Sequence, residues 1–105
     1  MSREEFVEFV DAVCGRPKLY FENGTFFTII AFLEGYALNR VEPTFSDKHS
    51  HMPFANFLKW VLTNRGIDCR KPHGGWKTFR EHYKSDREAL DDFPNLFCEF
   101  LGILR

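Results

Sequence analysis

Four histidines and three cysteines are the side chains best suited to titrate, bind a metal or attack a substrate near neutral pH in this 105-residue chain. His49 and His51 stand two apart, and Cys69 and His73 stand four apart; all four are donors of the kind zinc accepts. Structural zinc sites show tighter paired spacings than this, so no metal site is expected. Cys14 and Cys98 fall beside apolar helical stripes, where a thiol behaves as a small hydrophobe. A nucleophilic cysteine needs a partnered base, and none is adjacent in sequence. The odd cysteine count matches no disulfide framework and points to reduced thiols in a cytosolic protein. No catalytic residue and no cofactor are assigned.

Gly74 and Gly75 precede a helical pattern, but no phosphate-binding loop or dinucleotide fingerprint surrounds them. The segment CRKPHGGWKTFR interleaves basic and aromatic residues, which could hold a nucleic-acid backbone while stacking a base. This gives an alternative function, a nucleic-acid-binding module using Arg70, Lys71, Trp76, Lys77 and Arg80. The competing reading buries Trp76 and Phe79 and leaves the four cations in solvent. Lys and Arg number 14 against 15 Asp and Glu, a formal charge of -1, so no whole-molecule field draws nucleic acid or an anionic membrane. Neither is the expected partner.

The acids fall into two groups: Glu4, Glu5, Glu8 and Asp11 near the N-terminus, and Asp86, Glu88, Asp91, Asp92 and Glu99 near the C-terminus. Carboxylates held on short helices complement a basic partner and reject wrong ones. Asp86, Glu88, Asp91 and Asp92 are the first expected contacts, with Glu42 and Asp47 of a long loop as secondary ones. A purely local role is the simpler alternative: Asp86 and Glu88 offset the positive end of their own helix, an effect of roughly 0.3 to 1 kcal/mol.

The elements that must position these groups are helical. Ser2 with Glu5 fits a capping box, and Phe6, Phe9, Val10 and Val13 keep one helix face over residues 3–14. Gly15 and Pro17 predict a connector over residues 15–24, and Thr25 can cap the next helix. From Phe26 to Asn39 apolar groups fall on nearly every face, which predicts a helix surrounded by others. Residues 41–53 read as a polar loop, with Pro53 suited to open the helix that carries Phe54, Phe57, Leu58, Val61 and Leu62. Gly66 stops it. Trp76, Phe79 and Tyr83 mark a short helix after Gly75. Ser85 with Glu88 predicts a second capping box, and Leu90, Phe93, Phe97, Phe100, Leu101 and Leu104 carry the period onward, with Pro94 expected to break or kink it. Phenylalanine alone supplies 13 residues, so the expectation is one all-α domain over residues 1–105, a compact bundle of five or six short helices with a Phe-rich core. Trp60, Trp76, Phe32, Phe57, Phe97 and Leu101 are expected to share it. No run approaches 18 uninterrupted apolar residues.

Arg16, Pro17 and Tyr20, then Phe32, Gly35 and Tyr36, then Gly75 and Trp76, and last Phe93, Phe97 and Phe100 together resemble a group of small bacterial Arg-Pro-x-x-Tyr proteins. Some of these resemble immunity proteins of contact-dependent growth inhibition systems. The resemblance covers most of the chain and implies a stoichiometric inhibitor, not an enzyme, that blocks the active site of a cognate toxin domain, with a basic nuclease as the expected target. Because a nuclease cleft must carry cations to hold phosphate, the carboxylates Asp86, Glu88, Asp91, Asp92, Glu42 and Asp47 are the residues expected to face such a toxin. Within the motif, Pro17 is expected to stiffen the connector, Tyr20 to anchor it on the core, Gly35 to admit a neighbouring helix, and Arg16 to meet helix C-terminal carbonyls or a carboxylate.

Overall fold

Ser2 and Glu5 close the capping box that their spacing predicts: the Ser2 hydroxyl accepts the Glu5 amide at 3.1 Å, and the Glu5 carboxylate accepts the Ser2 amide at 3.3 Å. Helix α1, Arg3–Gly15, therefore starts with two of its otherwise unbonded N–H groups satisfied. It buries Phe6, Val7, Val10, Val13 and Cys14. The computed structural model describes residues 2–40, 54–67 and 75–104, without the side chains of residues 38–40.

The connector expected after α1 is partly helical. Pro17–Tyr20 forms a one-turn helix, α2, with Pro17 at its first position, where a missing N–H costs nothing. Arg16 ends α1 and opens α2 at φ -139°. The close approach expected at Gly35 occurs at Gly24 instead: a Cβ on Gly24 would lie 2.9 Å from the Pro17 Cβ and 3.0 Å from the Pro17 carbonyl carbon, whereas one on Gly35 would meet nothing within 4 Å. Tyr20 meets Phe9 in an edge contact, ring centres 6.5 Å apart, and stays exposed.

Helix α3, Phe26–Arg40, follows Thr25, whose hydroxyl accepts the Thr28 amide at 3.3 Å. It is not surrounded. Phe26, Ile29, Ile30, Leu33 and Ala37 form a buried stripe, while Phe27 is 46% exposed and Ala31 faces solvent. Among the described residues the helix is covered along this stripe, and apolar groups off it stay at the surface. Helix α4, Ala55–Arg65, ends where Gly66 turns left-handed at φ 71° and returns its amide to the Leu62 carbonyl. Its predicted opening residue, Pro53, lies outside the described residues.

Helices α5, Gly75–Glu81, and α6, Asp86–Leu101, complete the order. Ser85 caps α6 by accepting the Glu88 amide at 3.2 Å, but the Glu88 carboxylate returns to the Lys84 amide instead of the Ser85 amide, so the box is half-formed. Of the break or kink expected at Pro94, the break is absent: α6 runs through it. A proline removes only the hydrogen bond that its own N–H would make to the Leu90 carbonyl, and burial of Leu90, Phe93, Pro94, Leu96 and Phe97 on both sides holds the helix together.

The described residues are all-α, and α6 packs against α1, α3, α4 and α5. Seven phenylalanines, Phe6, Phe26, Phe54, Phe57, Phe79, Phe93 and Phe97, are fully buried. Phe57 meets Phe93 at 5.4 Å and 85°, and Phe97 meets Phe6 at 5.9 Å and 82°. Such edge-to-face contacts set the positive rim of one ring on the negative face of another. Phe32, Trp60 and Trp76 are half-buried at the margin of this cluster, and Leu101 lies within it.

Replacing Phe97 by alanine should cost about 3 to 5 kcal/mol in urea denaturation, because a ring touching α1 and α4 leaves a cavity behind; a loss below about 1 kcal/mol would contradict its central place. The two glycines should diverge. Gly35→Ala should stabilise by roughly 0.5 to 1 kcal/mol through helix propensity, whereas Gly24→Ala should destabilise and lower the melting temperature.

Candidate binding surface

The first turn of α6 lies where α1, α3 and α5 come closest to it, and Asp86 joins two of them. Its carboxylate accepts the Arg80 Nε–H of α5 and, at 3.2 Å, the backbone amide of Phe26 at the start of α3. Arg80 in turn donates through its NH1 group to the Tyr83 carbonyl at 3.0 Å. The Arg80 guanidinium therefore holds the Asp86 carboxyl below the usual carboxylate range, the Phe26 amide adds to this, and desolvation opposes it. Arg80 was expected in solvent; the need to neutralise Asp86 draws it in, to 23% side-chain exposure.

The other predicted contact acids of α6 also have partners inside the molecule. Asp91 pairs with Arg87 at 3.2 Å, Asp92 accepts the Tyr83 hydroxyl, and Glu88 accepts the Lys84 amide. Glu88 and Asp91 are exposed and Asp86 and Asp92 are half-buried. Asp86 and Asp91 thus meet a cation, while Glu88 and Asp92 accept from neutral donors. Glu42 and Asp47 lie outside the described residues, as do Arg70, Lys71 and the whole His49, His51, Cys69, His73 set. Among the described residues no cluster of three or more metal-ligating side chains occurs.

One acid from each of the two groups separated in sequence, Asp11 and Asp91, lies where α1 meets α6. Arg87 donates to the Gly15 carbonyl at the end of α1, 3.3 Å away, so the C-terminal carbonyl expected for Arg16 is taken by Arg87. Asp11 of α1 and Asp91 of α6 both raise the Cys14 thiol, after desolvation, to about 12. Cys14 and Cys98 are buried free thiols, consistent with small hydrophobes.

Trp76 and Phe79 pack into the aromatic cluster, Trp76 against Phe54 at 5.8 Å and Phe79 against Phe26 at 5.7 Å. Lys77 sits 4.0 Å from Glu81, one turn on. Beside them Glu34 is half-buried, and burial raises its carboxyl above the usual range, partly offset by the Trp76 indole. That indole Nε1 is buried and makes no hydrogen bond within 3.5 Å among the described residues.

An open groove of about 470 Å³ lies beside the acids, with Arg16, Pro17 and Leu19 on one side and Asp86, Arg87 and Leu90 on the other. Sequence spacing did not bring these segments together; the only hint was the glycine that lets the chain fold back over Pro17. Leu19 is 72% exposed, and no described helix is long and apolar enough to cross a membrane. Compared with protein-family models, curated proteins and solved structures, the chain matches none.

Because the folded Asp86 carboxyl titrates below its unfolded value, its charge stabilises the fold above the ordinary carboxylate pKa of about 4. That stabilisation is lost as pH falls through the lower, folded value. Asp86→Asn should melt at lower temperature than the parent at pH 7, and the gap should narrow as melts are repeated down to pH 2. A constant gap would assign the effect to packing instead of charge.

Proposed function

We propose that this protein is a cytoplasmic immunity protein that binds a cognate toxin domain stoichiometrically and covers its active site, with a basic nuclease as the target class. The observation that carries the reading is the meeting of α1 and α6, where Asp11 and Asp91 both act on Cys14 from segments about eighty residues apart, with Glu88 and Asp92 on the same helix as Asp91. A nuclease must hold phosphate, so its cleft presents cations, and an inhibitor gains specificity and association rate by meeting them with fixed negative groups. Intramolecular partners keep these carboxylates in place before binding, which lowers the ordering cost of association. Asp86 contributes mainly by holding α6 against α3 and α5. The resemblance carried by the Arg-Pro-x-x-Tyr and Phe-x-x-Gly-Tyr motifs supports the same reading.

The basic and aromatic segment gives less support to nucleic-acid binding. Trp76 and Phe79 are spent on the core, and Arg80 is committed to Asp86.

Charge removal without loss of shape tests the toxin reading. Asp92→Asn can still accept the Tyr83 hydroxyl, and Asp91→Asn leaves the bond between Arg87 and Gly15 intact. Calorimetry of the double variant against the toxin domain encoded by the adjoining reading frame should show affinity reduced at least tenfold, about 1.4 kcal/mol, and a weaker dependence on salt. Parent-like affinity would move the contact elsewhere, and failure of the parent to bind or protect would remove the reading.

A further inference from the structure

The groove between α2 and α6 has a charge balance opposite to that of the acidic side. Four charged residues line it, and two are committed: Asp86 to Arg80 and the Phe26 amide, Arg87 to Asp91 and the Gly15 carbonyl. The side chains of Arg16 and Lys18 make no hydrogen bond or ion pair among the described residues, and both are exposed. Two free cations therefore overlook a floor formed by Leu90, which is buried, and a wall formed by Pro17 and the exposed Leu19. A single exposed leucine needs no explanation. One placed at the mouth of a cavity, between two unpaired cations and a buried apolar floor, has the composition of a recognition site, where arginine and large apolar groups are enriched.

The shape is fixed in advance. Pro17 restricts its own backbone, and Gly24 lies so close to it that no side chain fits between them. The volume of about 470 Å³ lies within the range of ligand pockets, enough for a bulky side chain and its neighbours.

We propose that this groove binds a short acidic and apolar peptide segment of a partner protein: an aliphatic side chain enters between Leu19 and Leu90, and an adjacent carboxylate is met by Arg16 and Lys18. Charge complementarity selects this occupant. A second copy docked symmetrically through the same face would set Arg16 and Lys18 against their own equivalents, a like-charge contact that disfavours the pair. The site is separate in sign from the toxin-facing acids, and its test contains no toxin, so either reading can fail alone.

Titration of isotope-labelled protein with an acetylated tetrapeptide of alternating glutamate and leucine, followed by NMR, provides the test. Saturable shifts below about 1 mM should centre on the amides of residues 15–19 and the methyl groups of Leu19 and Leu90. The glutamine counterpart should bind at least tenfold more weakly. Arg16→Glu with Lys18→Glu changes two exposed side chains that support no other element; this variant should lose the glutamate peptide and gain the lysine counterpart. Equal binding of the glutamate and glutamine peptides, shifts confined to other surfaces, or no shift at millimolar peptide would overturn the proposal. Concentration-dependent shifts of the same residues without peptide would assign the groove to a second copy and overturn it as well.

Discussion

Everything in this fold depends on burying one face of α6. Its apolar positions face α1, α3, α4 and α5, so the other helices are arranged around it more than around one another. Phe93 and Phe97 face Phe54 and Phe57, and Phe97 also reaches Phe6, with ring planes close to perpendicular at most of these contacts. Flat rings packed edge to face fill a small volume densely and tolerate little displacement. A proline within α6 survives because the surrounding rings secure both of its halves.

That constraint also places the charges. A helix buried along one face must expose the other, and the first turns of α6 emerge beside the end of α1 and the start of α3. Asp86, half-buried, is used internally, while Glu88 and Asp91 project into solvent. Arg87 reaches across to α1 and separates the acidic side from the cationic groove. Two surfaces of opposite sign therefore lie within a few residues of each other, both held by the same helix.

Local patterns recovered the helices well. The Ser2 and Glu5 pair, the apolar period through Phe6 and Val10, and the glycine at position 66 each act over a few residues, so their consequences are visible in the sequence. Features that depend on distant partners were less legible. Burial of Arg80 follows from Asp86 needing a counter-charge, and exposure of Phe27 follows from its place off the buried stripe of α3. Gly35 sits in a motif yet has open space around it, whereas Gly24, at the end of the expected connector, is the one pressed against Pro17. Pro94 shows the same limit: a local rule predicts a break or a kink, and packing carries the helix through. The acids were placed on the right helix, but sequence spacing could not show that each had an internal partner or that Arg16 would border a groove.

The bond between Arg87 and the Gly15 carbonyl spans 72 residues. During synthesis at roughly 5 to 20 residues per second, α1 therefore waits about 4 to 14 seconds before its partner surface exists. Throughout that interval Phe6, Val10 and Val13 have no α6 to cover them. A nascent chain of this kind exposes one face of its first helix well before the last helix can cover it, so the ribosome-associated stage, more than the finished fold, is where it most needs a chaperone.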